Sequence, residues 1–160
     1  MAIVNNVTRL LDQRRIPYQA FELPTEKLGA RETAALLGID PALVYKTIVI
    51  TRDKPRKPLL VVVPGDSVVD LKLVAAAVGD KKVYLPTERE AEGITGLQAG
   101  GISPLAVMNR GFQVLIDDSA RAHEHIHVSG GQRGLNVRLA LDDLLQLTGA
   151  RLAPVSRPES

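Results

Sequence analysis

Lys46 is the residue whose type fits its surroundings least. It alternates with Ile48 and Ile50 in a segment rich in β-branched residues, which predicts a strand with Lys46 on an apolar face. Burying an ammonium group costs free energy unless an anion or a pocket accepts it. The sequence therefore makes Lys46 a candidate functional residue.

Two glycine-rich segments could supply chemistry of a different kind. They run from Ala99 to Pro104 and from Val128 to Gly134. Adjacent glycines let a ligand approach backbone N–H groups without obstruction by Cβ atoms, which suits an oxyanion hole or an anion-binding nest. A pair of tight turns explains each segment equally well when it is considered alone. Neither segment ends in Gly-Lys-Ser/Thr or shows the dinucleotide fingerprint in its strand-to-helix context, so nucleotide hydrolysis is not expected.

Three histidines alternate along one predicted strand. His123, His125 and His127 would place three imidazoles on one strand face, and such a face could bind a metal ion. Further ligands for a closed site cannot be identified, and histidines on the surface or on a pocket rim are the alternative. We therefore predict no metal site and no cofactor, and a metal-dependent hydrolase stays the weaker alternative.

The sequence offers no convincing side-chain nucleophile. It contains no Cys, which excludes a thiol nucleophile, a disulfide framework and a thiolate metal site. Ser103 and Ser129 lie in predicted loops, but no Gly-x-Ser-x-Gly elbow and no ordered His-Asp pair accompany them. Asp142 and Asp143 begin a predicted helix, where acids favour the helix dipole without a catalytic role. A serine hydrolase is therefore not expected.

Length, composition and charge are those of a single-domain globular protein. A chain of 160 residues with 45% hydrophobic and 24% charged residues is long enough to bury its own core. No apolar run approaches the length of a membrane span and the start lacks the order of a signal peptide, so we expect a cytoplasmic protein without membrane contact. The densest basic cluster predicts an exposed turn that either contacts a phosphate backbone or stays solvated. It consists of Arg52, Lys54, Arg56 and Lys57.

Apolar spacing and capping residues predict an α+β fold. We expect a single domain in residues 1–150, with a mixed, mainly antiparallel, barrel-like sheet surrounded by helices, and a flexible C-terminal tail in residues 151–160. The first predicted helix ends near Arg15 and the second spans 31–37. The third follows the cap Asp70 as far as Gly79, the fourth runs from Thr87 to Gly93, and the last spans 141–148. The predicted strands span 18–23, 44–51, 59–63, 81–85, 113–116, 125–128 and 135–139.

Four motifs occur in an order that resembles one known family. The motifs are Val44-Tyr45-Lys46-Thr47, Asp70-Leu71-Lys72, Gly100-Gly101-Ile102-Ser103-Pro104 and Val128-Ser129-Gly130-Gly131-Gln132-Arg133-Gly134-Leu135. Together they resemble the YbaK-type aminoacyl-tRNA deacylases, a family that includes the editing domains associated with prolyl-tRNA synthetase. The resemblance extends from the first helix to about Gly149. The Gly-Gly-Ile-Ser-Pro form is most similar to the branch that acts on cysteinyl-tRNA(Pro).

The resemblance implies an activity and a set of site residues. The activity is trans-editing, the hydrolysis of the ester that links a wrong amino acid to the 3′ end of tRNA, with aminoacyl-tRNA and prolyl-tRNA synthetase as partners. Lys46 would lie near the terminal adenosine and its phosphate, and backbone amides between Gly100 and Pro104 would hold the aminoacyl carbonyl. The thiol of a cysteine substrate would attack the ester, so the enzyme needs no nucleophile of its own. The implied catalytic residues are Lys46, Gly100, Gly101 and Ser103, and the implied substrate-binding residues are Pro104, Ser129, Gly130, Gly131, Arg133 and Asn136.

The sequence departs from the family pattern around the expected pocket. Asn136 stands where the cysteine-acting branch leads us to expect Asp, and His127 stands where we expect Tyr. Leu23 and Leu28 occupy a segment where we expect aromatic residues. Two alternatives therefore stay open: deacylation of another small amino acid, such as alanine on tRNA(Pro), and a non-catalytic module that binds tRNA or a synthetase.

Overall fold

Helices and short strands interleave along the chain in the computed structural model, which describes residues 3–159. The α-helices are α1 (Asn6–Gln13), α2 (Ala30–Leu37), α3 (Leu71–Val78), α4 (Glu88–Thr95) and α5 (Leu141–Thr148). The strands are β1 (Tyr18–Glu22), β2 (Tyr45–Arg52), β3 (Leu59–Pro64), β4 (Ser67–Val69), β5 (Val83–Tyr84), β6 (Gln113–Asp117), β7 (His125–Ser129), β8 (Leu135–Ala140), β9 (Arg151–Ala153) and β10 (Ser156–Pro158). None of the helices in residues 3–159 has the length and apolar character needed to cross a bilayer.

The most apolar strand lies at the centre of the main sheet. Every residue of β3 is buried, as expected for a strand that is covered on both faces. The strand order in this sheet is β5-β2-β3-β6-β9, in which β3, β6 and β9 run parallel and the other pairs run antiparallel. A second, antiparallel sheet has the order β1-β8-β7, and β4 pairs with β10. The α+β class and the mainly antiparallel pairing are confirmed, although the sheets do not close into a barrel.

Two apolar clusters hold the sheets and helices together. Alternate residues of β3 face opposite sides, so that Leu60 and Val62 belong to one cluster while Leu59 and Val61 belong to the other. The first cluster joins the main sheet to the β1-β8-β7 sheet, through residues that include Tyr45, Val49, Ile126, Val128, Val137 and Leu139. The second joins the main sheet to α3 and to the C-terminal residues, through residues that include Ile50, Val74, Leu115, Ala153 and Val155.

Capping residues account for most of the helix boundaries. The Asp70 carboxylate accepts hydrogen bonds from the backbone N–H groups of Lys72 and Leu73 at 3.0 and 3.1 Å, which starts α3 as predicted. The helix α4 also starts at its predicted capping box, but it does not stop at Gly93. It continues to Thr95 and ends at Gly96, whose φ of 73° is left-handed. A glycine inside a helix costs only about 1 kcal/mol, so Gly93 does not terminate it.

The C-terminal residues are more ordered than their prolines predict. We expected a flexible tail from residue 151, but β9 pairs with β6 and β10 pairs with β4. Val155 between these strands is fully buried, and its N–H donates to Asp117 Oδ1 at 3.1 Å. Pro158 sits in a strand that pairs only with β4, a position at an edge that proline tolerates. The burial of Val155 therefore orders this segment despite its two prolines. Ser160, the last residue of the expected tail, lies outside the described residues.

Candidate active site

One edge of β2 is open beside a cavity of about 400 Å³. On one side β2 pairs with β3 from Tyr45 to Ile50, but on the other side it pairs with β5 only at Thr51 and Arg52. An isolated bridge joins Val44 to β7. Between these contacts no strand within residues 3–159 covers the β2 edge, and residues 44–49 all line the cavity. The backbone of β2, together with side chains from both of its faces, therefore reaches the cavity.

Lys46 lies on this open edge and is half-buried. Its burial lowers the pKa of the ammonium group, and the Glu159 carboxylate is the strongest charge that opposes this effect. Lys46 forms no ion pair with any residue of the described chain. A desolvated cation without a bound anion is suited to accept a negatively charged group of a ligand.

Gly100 brings the first glycine-rich segment to the cavity wall. Its φ is 90°, and a Cβ atom at this position would lie 3.3 Å from the Cα of Lys27. Both the backbone conformation and the close approach therefore favour glycine. Within residues 3–159 the N–H groups of Gly100 and Ile102 have no hydrogen-bond acceptor, whereas the N–H of Gly101 donates to Gln98 O at 2.8 Å. The backbone donors left for a ligand thus come from Gly100 and Ile102, which both line the cavity.

Ser103 and Pro104 shape the same segment from inside the protein. Ser103 has no exposed surface, and its Oγ accepts a hydrogen bond from the N–H of Leu105 at 3.2 Å. It caps the short 3-10 turn Pro104–Ala106, in which Pro104 is buried. Neither residue lines the cavity. Their geometry is that of residues that hold the loop.

The second glycine-rich segment contributes Ser129 to the cavity wall. The Ser129 Oγ accepts the N–H of Gly131 at 3.2 Å, so its hydroxyl hydrogen is available to another acceptor. Gly130 and Gly131 do not line the cavity, and a Cβ on Gly130 would come within 2.4 Å of Leu135 Cγ. Arg133 also lies off the cavity and donates from Nε to Ala99 O at 2.7 Å. This hydrogen bond ties the two glycine-rich segments together.

Asn136 is the remaining predicted residue at the cavity, directly opposite Ser129 in the β7-β8 pair. Asn136 and His127 are each 5% exposed, and His127 Nδ1 lies 2.9 Å from Asn136 Oδ1. The Phe21 ring packs against the imidazole, with 5.5 Å between ring centroids. Burial lowers the pKa of His127, which leaves a neutral imidazole at pH 7. Of the ten residues implied by the family resemblance, the structure thus brings Lys46, Gly100, Ser129 and Asn136 to one cavity.

The three histidines do not share one strand face. β7 begins at His125, and His123 ends the 3-10 turn that precedes it. The prediction of three imidazoles on one strand is therefore wrong, because the chain turns before the strand begins. His127 is turned towards Asn136. In the part of the chain that the structure describes, no group of three or more His, Asp or Glu side chains is arranged to hold a metal ion.

Residue types alone do not identify several of the residues that line the cavity. Thr47 lines the cavity next to Lys46, and its buried Oγ1 has no hydrogen-bond partner within residues 3–159. Lys27 and Glu88 form an ion pair of 2.9 Å at the exposed rim. Thr47 directly follows Lys46 in the first motif, which is a signal that could have identified it. Nothing in the sequence pairs Lys27 with Glu88, because these residues are far apart along the chain.

The predicted basic turn is partly neutralised in the structure. Arg52 and Arg56 both form ion pairs with Asp80, whose side chain is 4% exposed. The hydrogen bond from Arg52 lowers the pKa of Asp80. Lys54 and Lys57 stay exposed, at the opposite end of β2 from Lys46. Half of the basic cluster therefore serves the fold.

The chain is similar to known aminoacyl-tRNA editing proteins. Residues 26–147 match the family model of the aminoacyl-tRNA editing domain. The chain is 33% identical over 156 residues to an Enterococcus faecalis protein assigned as the Cys-tRNA(Pro)/Cys-tRNA(Cys) deacylase EbsC, covering 96% of this chain and 94% of that protein.

Two solved structures share the fold. The hypothetical protein APE2540 superposes with a TM-score of 0.86 at 24% identity, covering 96% of this chain and 100% of that chain. A protein assigned as a trans-editing enzyme for prolyl-tRNA synthetase superposes with a TM-score of 0.80 at 24% identity, covering 99% of this chain and 100% of that chain. At this level of identity the likeness concerns the fold alone.

Proposed function

Because the chain belongs to the family of aminoacyl-tRNA editing domains, we propose that it hydrolyses mischarged tRNA in trans, with cysteinyl-tRNA(Pro) as its substrate. The family expected from the four sequence motifs is confirmed, and with it the class of enzyme, an aminoacyl-tRNA deacylase that cleaves an ester. The observation that carries the choice of site is the cavity that joins Lys46 on the open β2 edge to the Gly100 segment. Prolyl-tRNA synthetase is the proposed source of the substrate, and the proposed compartment is the cytoplasm, where tRNA is charged.

The backbone donors of the Gly100 segment fit the negative charge that develops during ester cleavage. Attack on the carbonyl carbon moves an electron pair to the carbonyl oxygen. The N–H groups of Gly100 and Ile102, which have no acceptor within residues 3–159, would donate to this oxygen. One such preorganised donor contributes about 3–4 kcal/mol to the transition state. Gly101 and Ser103 act indirectly in this proposal, by fixing the loop that carries the donors.

The nucleophile in this proposal is the substrate's own thiol. Its sulfur forms a bond to the ester carbon, and collapse of the tetrahedral intermediate expels the 3′ oxygen of the terminal ribose, which takes up a proton. Water then opens the cyclic thioester to release cysteine. Ser129 lines the cavity, but within residues 3–159 its Oγ is hydrogen-bonded only to the N–H of Gly131, and no side chain that could act as a general base is hydrogen-bonded to it. A cysteine substrate supplies what these cavity side chains lack.

Lys46 would bind the phosphate of the terminal adenosine. The Arg31 guanidinium lies in the same electrostatic environment as Lys46 and pairs with Glu159 at 2.7 Å. A phosphate between these two cations would fix the 3′ end of the tRNA and carry the ester to the Gly100 segment. Such positioning accelerates the reaction by orientation rather than by proton transfer.

A deacylation assay tests this function. Wild-type protein and the Lys46→Ala variant would be incubated with Cys-tRNA(Pro), Ala-tRNA(Pro) and correctly charged Pro-tRNA(Pro). We expect hydrolysis of Cys-tRNA(Pro) that depends on Lys46, and little effect on Pro-tRNA(Pro). Preferential hydrolysis of Ala-tRNA(Pro) would replace the cysteine substrate with alanine. Salt-dependent tRNA binding without hydrolysis of either mischarged tRNA would leave a binding module instead.

A further inference from the structure

Among residues 3–159, Lys46 is the only charged residue on the inner wall of the cavity. The cavity-lining carboxylates within the described chain are Glu26 and Glu88, and both are exposed at the rim. Glu88 is already paired with Lys27. Apart from Lys46, the unexposed polar side chains that line the cavity are neutral amide and hydroxyl groups, which belong to Thr33, Tyr45, Thr47, Ser129 and Asn136. A substrate ammonium group at this wall would find hydrogen bonds but no carboxylate.

The Asn136 amide lies with its carbonyl end towards His127 and its Nδ2 end away from it. A carbonyl oxygen can only accept, so the His127 tautomer that fits this contact of 2.9 Å carries its proton on Nδ1 and donates to Asn136 Oδ1. The other end of the amide, Nδ2, has no partner within residues 3–159, and it is not among the fully buried side-chain atoms without a partner. Since Asn136 lines the cavity, Nδ2 is left to donate into it.

The surroundings of His127 keep this arrangement in place. The imidazole is 5% exposed and lies against the Phe21 ring. Burial lowers its pKa, so the ring carries a single proton at neutral pH. Phe21 is directly opposite Asn136 in the β1-β8 pair, so two neighbouring strands support the same side chain. Asn136 therefore presents a fixed donor rather than a freely rotating amide.

We propose that His127 is a positioning residue that turns Asn136 to donate a hydrogen bond to the substrate, and that the site consequently accepts aminoacyl esters whose α-amine is acylated. This inference rests on the proposed deacylase function. The carbonyl oxygen of an N-acyl group is an acceptor that the Asn136 Nδ2–H can serve. The neutral wall gives a free α-ammonium no ion pair that would favour it over the acylated form.

Two substrates and three variants test the inference. Cys-tRNA(Pro) and N-acetyl-Cys-tRNA(Pro) both keep the thiol but differ at the amine. For the wild type we expect kcat/KM values within about tenfold of each other, the range that one neutral hydrogen bond spans. Asn136→Asp places a carboxylate at the wall. The ratio of kcat/KM for Cys-tRNA(Pro) to kcat/KM for N-acetyl-Cys-tRNA(Pro) should therefore rise by about tenfold or more.

The positioning role of His127 is tested by His127→Phe, which keeps an aromatic ring but removes the donor. We expect KM for the N-acetyl substrate to rise about fivefold with little change in kcat, as loss of one neutral hydrogen bond predicts. His127→Gln restores a donor and should recover most of this loss, at matched Tm. Equal KM values for wild type and His127→Phe, or no rescue by Gln, would overturn the positioning role.

The outcomes separate this inference from the function on which it rests. If the wild type cleaves Cys-tRNA(Pro) but rejects the N-acetyl form by more than about a hundredfold, well beyond one hydrogen bond, the proposed substrate range is wrong while the deacylase function stands. The same conclusion follows if Asn136→Asp leaves the ratio unchanged. If the wild type cleaves neither substrate, the proposed function is wrong, and this inference with it.

Discussion

Gly101 packs directly onto the backbone of Gln132, because a Cβ atom on Gly101 would come within 2.9 Å of the Gln132 Cα and carbonyl carbon. The two glycine-rich segments are therefore in van der Waals contact at a point where only glycine fits. The hydrogen bond from Arg133 to Ala99 O lies beside this contact. One glycine of the predicted catalytic set thus sets the distance between the two segments.

The Gly101→Ala variant should impair catalysis by displacing the Gly100 segment. The new methyl group meets backbone atoms that cannot move alone, and overpacking of this kind costs about 1–3 kcal/mol. We expect kcat/KM for Cys-tRNA(Pro) to fall at least about tenfold. Tm should fall only modestly, so that the variant stays folded in the assay. The control is Gly93→Ala in α4, where a Cβ meets nothing within 4 Å. This control should keep full activity, and equal activity of the two variants would contradict the packing role.

The sequence was sufficient to select Lys46 and Gly100 as candidates, and the structure places both at one cavity, where their functional roles stay predictions. It was not sufficient to predict which residues of the glycine segments face the cavity. An odd lysine on an apolar strand is visible from residue types alone. That Gly101 and Ser103 are engaged inside the protein depends on contacts with Gln98 and Leu105, which glycine spacing does not encode. The open β2 edge was also invisible, because it results from how little of β5 pairs with β2.

The end of the chain shows the same limit in the fold. Pro154 and Pro158 suggested a frayed tail, since proline cannot donate a backbone hydrogen bond. Val155 lies between them and holds the segment in place, because its side chain is fully buried and its N–H donates a hydrogen bond to Asp117. Local breaker signals fail where a single side chain completes a core formed by distant elements.

The Lys46→Ala variant should bind tRNA more weakly. Loss of one hydrogen-bonded charge predicts a rise in KM of about tenfold to a hundredfold. The same variant should raise KM much less for a minimal substrate, cysteinyl-adenosine without the 5′ phosphate, because that phosphate is the proposed partner of Lys46. Lys72→Ala is the matched control, since Lys72 is an exposed lysine of α3. An equal rise in KM for both substrates would show that Lys46 does not bind the phosphate.

The Asp80→Asn variant should be less stable than the wild type at pH 7 and as stable as the wild type in acid. The hydrogen bond from Arg52 lowers the pKa of Asp80 in the folded state. The ionised carboxylate therefore stabilises the fold above the unfolded pKa of about 3.9, and this contribution is lost as the pH falls through the lower folded value. Thermal unfolding at pH 7 should show a Tm lower by a few degrees for the variant. The control Asp118→Asn removes an exposed ion pair with Arg121 and should change little.

The difference between wild type and Asp80→Asn should therefore shrink steadily in melts at progressively lower pH. A difference that stays constant down to the acid end would mean that the charge of Asp80 is not what stabilises the fold. In that case the loss would be attributed to the changed hydrogen bonding of the amide.

The Glu159→Gln variant should bind tRNA more tightly. Glu159 pairs with Arg31 at 2.7 Å and is the strongest negative influence on Lys46, so its carboxylate competes with a phosphate for both cations. The pair is exposed, which limits its contribution to about 0.2–1 kcal/mol and the expected fall in Kd to about two- to fivefold. Titrations of tRNA at low and high salt would measure the effect, which screening should abolish at high salt. Glu124→Gln, another exposed carboxylate, is the control for a general change in charge. If Glu159→Gln behaves like this control or weakens binding, Arg31 and Lys46 do not form a common phosphate site, and the 3′ end of the tRNA must enter the cavity from a different side of its rim.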